Sequence, residues 1–192
     1  MFSSIFSSYL YKKDLNLDLK SIHKHISQTQ EIDKLGVVLS NKGGWQSQNF
    51  KEINNSVKPL FNFLNTAANE IKNKIGYQPN LKLQTYWYNI NYQNSFNVPH
   101  THLGAPLDTI VSGVFYVKSP KNCGRLILKR NDPVLGLMYQ ERVGNYNEYN
   151  SSTWSITPVK NLLVLFPSYL EHYVEPNLNK EKRISISFNY GI

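Results

Sequence analysis

Two histidines one residue apart, His100-Thr101-His102, are where the spacing in this chain first suggests chemistry. Successive side chains of a β-strand alternate between faces, so residues two apart project to the same side. On a strand, both imidazoles would therefore converge on one spot. Imidazole is a frequent ligand of divalent transition metals, and also a common surface group. Two ligands alone do not define a site. His172 is a third candidate, lying just after the apolar run from Leu162 to Phe166 and a Pro167-Ser168 turn. Eleven residues further on comes Arg183-Ile184-Ser185. Strand alternation puts Arg183, Ser185, Ser187 and Asn189 on one face and Ile184, Ile186 and Phe188 on the other. A guanidinium offers a planar fork of donors suited to a carboxylate. An ordinary edge-strand arginine would show the same local pattern, so the informative feature is the combined order: H-x-H, then a distal His, then R-x-S.

Other reactive residues are less constrained. His23 and His25 are two apart on a helical stretch, hence on different faces, and read as solvated side chains. Cys123 precedes Gly124 in a turn, with Lys121 and Arg125 nearby, and reads as a bystander thiol. Glu171 and Glu175 flank His172 and are expected to point outward, leaving no carboxylate pair of glycosidase type. Neither G-x-x-x-x-G-K-[ST] nor G-x-G-x-x-G is present.

Positioning these residues requires strands. From Leu81 the apolar period is two, and the stretches Leu81 to Tyr92, Ile110 to Lys118, Arg125 to Lys129, Asn161 to Phe166 and Arg183 to Tyr190 read as strands. Turn chemistry separates them at Asn97-Val98-Pro99, Ser119-Pro120-Lys121-Asn122, Asn131-Asp132-Pro133 and Glu175-Pro176-Asn177. Many short strands with polar turns imply a sandwich or barrel. Residues 134–153 are polar and rich in Tyr and Asn, and read as a long loop or a ragged hairpin. Before residue 80 the period is helical: Leu15, Leu19, Ile22 and Ile26 form one stripe. A second helix is expected from Ser56 to Ile75, capped by Gly76. Ser40 to Ser47 reads as a loop. The expectation is one domain over 1–192, with a helical cover over 1–80 and a β core over 81–192.

Composition bounds the rest. A 192-residue chain that is 41% hydrophobic and 18% charged suits one folded domain. The aromatic supply of 13 Tyr, 9 Phe and 3 Trp favours β structure and binding surfaces. A single cysteine excludes an intramolecular disulfide framework and a multi-Cys zinc site. The net charge of +8 invites anionic partners. Its basic residues, from Lys12 and Lys13 to Lys180 and Lys182, are dispersed and follow no nucleic-acid-binding motif. No stretch approaches the length of a membrane span. The first residues lack a basic region and a sustained apolar run of export-signal type, so a cytoplasmic protein is expected.

Taken together, the motifs resemble the iron(II)- and 2-oxoglutarate-dependent dioxygenases, within them a small bacterial and phage group of oxygenases of unassigned substrate. The matching stretches are Ser40-Asn41-Lys42-Gly43-Gly44-Trp45-Gln46-Ser47, Trp87-Tyr88-Asn89-Ile90-Asn91, His100-Thr101-His102 and Ser112-Gly113-Val114-Phe115-Tyr116-Val117. They continue with Leu165-Phe166-Pro167-Ser168, His172, and Arg183 to Asn189. The resemblance implies a mainly β fold with N-terminal helices, built on a double-stranded β-helix of jelly-roll, cupin-like type. It also implies roles. His100 matches the first iron ligand and His172 the distal one, while His102 stands where the superfamily carries a carboxylate. Asp108, reaching back across residues 103–107, is the alternative third ligand. Arg183 matches the anchor of the far carboxylate of 2-oxoglutarate, with Ser185 completing the R-x-S form. Tyr116 adds a second hydrogen bond to that carboxylate or is simply a core aromatic, and Asn89 lines the cosubstrate pocket. The implied cofactors are Fe(II), 2-oxoglutarate and O2. The implied reaction is hydroxylation with release of succinate and CO2, on a peptidyl (prolyl) or small-molecule substrate. Trp45, Trp87 and the Tyr-rich stretch from Met138 to Tyr149 would wall the mouth. The rival readings are a non-catalytic cupin-like metal-binding jelly-roll and a basic nucleic-acid-binding protein. The oligomeric state stays open, a homodimer included.

Overall fold

The computed structural model describes residues 5, 7–103, 108–132 and 144–192. In chain order these form β1 (Tyr11–Asp14), α1 (Leu19–Ile32), β2 (Asn41–Lys42), β3 (Trp45–Gln46), α2 (Lys58–Ile75) and β4 (Lys82–Asn91). β5 (Phe96–His100), β6 (Thr109–Lys118), β7 (Leu126–Lys129), β8 (Thr153–Ile156), β9 (Leu162–Pro167), β10 (His172–Val174) and β11 (Arg183–Gly191) follow. The strands make two antiparallel sheets, in the orders β1-β9-β6-β11-β4-β3 and β2-β5-β10-β7-β8. The sheets share an apolar layer in which Tyr116, Val164 and Phe166 of the first meet Leu126, Leu128 and Ile156 of the second. This is the jelly-roll the sequence led us to expect.

Both helices cover the outer face of the six-stranded sheet. Asp18 caps α1 by accepting from the Lys20 N–H at 3.0 Å. Ile22 and Ile26 of α1, with Leu60, Phe61, Leu64, Ala67, Ala68 and Ile71 of α2, pack on Tyr86, Tyr88, Ile90, Phe115, Ile184, Ile186 and Phe188. That apolar layer is the principal core, and burial of its side chains is what holds the sheet flat against the helices. α2 stops at Gly76, whose φ of 77° is the left-handed geometry a side chain disfavours.

Several local readings change. The region 1–80 also supplies β1, β2 and β3, so it is more than a helical cover. Asn41 pairs with Asn97 while Trp45 pairs with Ile90, so the stretch read as a loop is split between the two sheets. Asn97-Val98-Pro99, read as a turn, lies inside β5. Proline cannot donate to a ladder, and it is tolerated here because the pairing of β5 with β10 is irregular between His172 and Val174. β8 begins at the last residue of the stretch read as a long loop or ragged hairpin; residues 134–143 of that stretch, and half of the Met138 to Tyr149 segment, lie outside the described residues. The chain 104–107 before Asp108 does too. Among the described residues, no helix is long and apolar enough to cross a membrane.

Candidate active site

β5 and β10 are hydrogen-bonded neighbours, and their register sets His172 opposite His100. His102 lies two residues beyond the end of β5, where its N–H donates to the Ser168 carbonyl at 3.0 Å. That bond ties it to the turn before β10. The three rings therefore meet, with centroids 4.3 Å apart for His100–His172, 4.9 Å for His102–His172 and 5.3 Å for His100–His102. One ligating atom from each lies within 4.8 Å of the others. Each Nδ1 is already engaged: His100 with the Val98 carbonyl at 2.8 Å, His172 with the Leu170 carbonyl at 2.9 Å, and His102 with Asn189 Oδ1 at 2.6 Å. An Nδ1–H that donates to oxygen leaves Nε2 with its lone pair free, which is the ligand form of imidazole.

The electrostatics agree. Burial disfavours the charged ring, lowering His100 from its ordinary value. It takes His102 down to about 4. Burial and then the neighbouring His102 and His100 take His172 down to about 3. All three are thus neutral at pH 7. Three neutral nitrogen donors suit a divalent first-row transition metal, iron included. Asp108 stands outside this cluster. It sits at the start of β6, its carbonyl accepting from the Ile192 N–H at 3.3 Å and its Oδ1 buried without a partner.

Arg183 opens β11 and is 2% exposed. One nitrogen, Nη1, donates to the carbonyls of Cys123 and Gly124, both at 3.0 Å, and Nε is buried with no partner. The ion pairs found among the described residues are Lys118–Glu181, Arg125–Glu175 and Lys129–Glu171, so no carboxylate there neutralises it. Glu171 and Glu175 thus point outward. Desolvation lowers the Arg183 pKa, yet a guanidinium keeps its proton at any physiological pH. The Tyr116 hydroxyl is pushed up to about 12, chiefly by burial, and is a firm donor at pH 7. The Tyr116 ring belongs to the apolar layer between the sheets, and its side chain also borders the cavity.

His100, His102, His172, Arg183, Ser185, Tyr116 and Asn89 all line one cavity. Asn89 Nδ2 donates to Ser187 Oγ at 3.0 Å. Asn91 lines the cavity as Asn89 does, and no role followed from the sequence for Ser40 and Asn97 in the lining or for Ser112 beside His102. Ser187 and Asn189 share the face of Arg183, and that period was the signal that could have marked them. Trp87 lines the cavity. Trp45 does not wall a mouth: it is 5% exposed in the helix-side core, where its Nε1–H donates to the Asp33 carbonyl at 2.7 Å. Nor is His25 simply solvated. Helix α1 lies on the sheet there, so its ring packs edge-on against Tyr88 and shares a 3.1 Å hydrogen bond with that hydroxyl. His23 is half-buried for the same reason. The Cys123 thiol is buried, which raises its pKa and keeps it protonated.

Residues 85–189, a little over half of the chain, match the family described as "Putative 2OG-Fe(II) oxygenase". No curated protein matches in sequence. Among solved structures, a prolyl-4-hydroxylase of Pseudomonas putida superposes with a TM-score of 0.69 at 14% identity, over 95% of this chain and 91% of that one. A viral collagen prolyl hydroxylase of Paramecium Bursaria Chlorella virus-1, solved with 2OG, gives 0.63 at 13% identity, over 96% and 97%. HygX from Streptomyces hygroscopicus, solved with nickel and 2-oxoglutarate bound, gives 0.60 at 12% identity, over 96% and 83%. At such identities the likeness to these structures is one of fold.

Proposed function

The chain belongs to the 2OG-Fe(II) oxygenase family, and on that premise we propose that His100, His102 and His172 hold its iron, that Arg183 anchors its 2-oxoglutarate, and that it hydroxylates a polypeptide. The family works with Fe(II), 2-oxoglutarate and O2. The observation that carries the assignment is the pairing, in one cavity, of three imidazoles with engaged Nδ1 atoms and a buried arginine that lacks a carboxylate partner among the described residues.

When bound, the iron and the keto acid supply the oxidising chemistry, converting O2 and 2-oxoglutarate to succinate and CO2 while a substrate C–H becomes C–OH. The protein's own groups orient and enclose. Arg183 offers its free N–H groups to the far carboxylate of the cosubstrate, a charge-assisted contact strengthened by burial. The Tyr116 and Ser185 hydroxyls lie in the same lining and can donate to that carboxylate. Val114, Leu126, Phe166 and Val174 form apolar wall that keeps water from the reacting centre.

A polypeptide is favoured over a small molecule by an exposed apolar surface that adjoins the cavity lining in the chain. Ser40 lines the cavity, and the end of α1 and the loop leading to Ser40 expose Ile32, Leu35, Val38 and Leu39, each between 64% and 93%. This loop is held in shape. Asp33 Oδ1 accepts from the Gly36 N–H at 3.0 Å, and Asn41 Nδ2 donates to the Val37 carbonyl at 3.1 Å. An ordered, exposed apolar set suits a protein contact, and it lies outside the reach of a ligand confined to the cavity.

The test is anaerobic addition of iron(II) and then 2-oxoglutarate to the purified protein. A visible metal-to-ligand charge-transfer band should appear, and on admission of air succinate should form. No band and no succinate at full iron loading would overturn the assignment.

A further inference from the structure

We propose that Asn189, braced by Ser112, is a positioning residue that locks His102 into the tautomer a metal ligand requires; the inference rests on the metal-centre reading above. A neutral imidazole carries its proton on one nitrogen only, and the partner of Nδ1 decides which. His100 and His172 solve this with the main chain, each through the carbonyl two residues upstream, Val98 and Leu170. Those acceptors persist whatever the side chains are. His102 is different. Its Nδ1 is held by side chains, 2.6 Å from Asn189 Oδ1 and 2.8 Å from Ser112 Oγ.

With the Asn189 amide turned as the structure has it, Oδ1 toward His102, the proton count in this trio has one consistent solution. Ser112 donates its hydroxyl proton to Asn189 Oδ1 at 2.9 Å. With that proton committed, Ser112 Oγ faces His102 as an acceptor, and Asn189 Oδ1 is an acceptor by chemistry. Nδ1 must then bear the hydrogen, and Nε2 is left bare toward His100 and His172. The fold brings the pair together: Asn189 of β11 and Ser112 of β6 are direct partners in the ladder. Next to Ser112, Gly113 leaves no room for a side chain, because a Cβ there would collide with Phe188 and the Val164 carbonyl. That close contact keeps β6 tight against its neighbours at this point. A carboxylate ligand would need no tautomer lock. A histidine that is not served by its own main chain does, and these two side chains provide it.

The test uses the full chain, metal-free and labelled with 15N at histidine, read by long-range 15N–1H correlation. His102 should show a protonated Nδ1 and a bare Nε2. In Asn189→Leu, which keeps the bulk and removes the acceptor, His102 should move toward the Nε2–H form while His100 and His172 stay unchanged. Affinity for Co(II), measured by chelator competition, should fall roughly 10- to 100-fold. Asn189→Asp keeps the oxygen and should restore both signals. Ser112→Ala should give a mixed His102 tautomer and a smaller loss, and covers the case in which the leucine variant does not fold. An Nε2–H form in the wild type overturns the proposal, as does wild-type tautomer and affinity in the Leu variant or, where that does not fold, in Ser112→Ala. Failure of the wild type to bind metal at all would instead strike the metal-centre reading, since the tautomer is measured without metal.

Discussion

A guanidinium buried with an unpaired Nε is costly to keep, and Arg183 is such a group. The Cys123 and Gly124 carbonyls at Nη1 offset part of that cost, and an anion entering the cavity would offset more. Truncating one partner of a buried, hydrogen-bonded charge pair costs about 2 kcal/mol or more. Arg183→Met should therefore raise the Kd for 2-oxoglutarate at least ~30-fold in isothermal titration of the iron-loaded protein. The same variant should lose the rise in thermal midpoint that 2-oxoglutarate gives the wild type, because a ligand stabilises only the state that binds it. Arg183→Lys keeps the charge without the planar fork and should fall between the two. A variant that binds as tightly as wild type would remove Arg183 from the anchor role.

At the scale of elements, β11 links the two halves of the site. Arg183 lies at its start and Asn189 near its end on the same face, while Ile184, Ile186 and Phe188 bury the other face under the helices. The turn before β7 supports the arginine. Gly124 has a φ of 84°, a Cβ there would strike the Glu175 carbonyl, and its own carbonyl accepts from Arg183. Gly124→Ala should destabilise by about 1–3 kcal/mol in denaturant melts and weaken 2-oxoglutarate binding as well. Gly76→Ala, also at positive φ but with open space around it, should cost only about 1–2 kcal/mol and leave binding alone. The exposed loop before β2 gives a third expectation. Leu35→Glu with Val38→Glu should lower kcat/KM for a polypeptide substrate at least ~10-fold, and leave substrate-free turnover of 2-oxoglutarate unchanged. Equal turnover of the polypeptide by this variant would exclude the loop from substrate contact. The alternation of β11 and the apolar stripe of α2 were readable from the sequence, because each runs over several periods. β2 and β3 are two residues each and β10 is three, too short to display a period, and Pro99 disguised β5 as a turn. The contact between His102 and Asn189 spans 87 positions, so no local pattern could announce it.

For the molecule as a whole, the +8 charge says less than the histidines do. Lys118, Arg125 and Lys129 spend their charge on ion pairs with glutamates, which weakens the case for a basic face that reads nucleic acid. Such exposed pairs contribute little to stability. The metal centre should contribute more, because its ligands come from separate parts of the five-stranded sheet and the chain after it. His100 ends β5, His172 begins β10, and His102 is tied to the turn at Ser168. A metal bound by all three holds these segments together and binds only the folded state. At a free metal concentration of 100 times Kd, mass action adds about 2.7 kcal/mol. A chain of this size gains about 2–4 °C per kcal/mol. Calorimetry should therefore show a thermal midpoint about 5–11 °C higher with Co(II) than with chelator. His172→Ala should abolish that difference, because it removes the buried member of the three ligands. A metal-independent midpoint in the wild type would mean that the three rings do not converge on an ion.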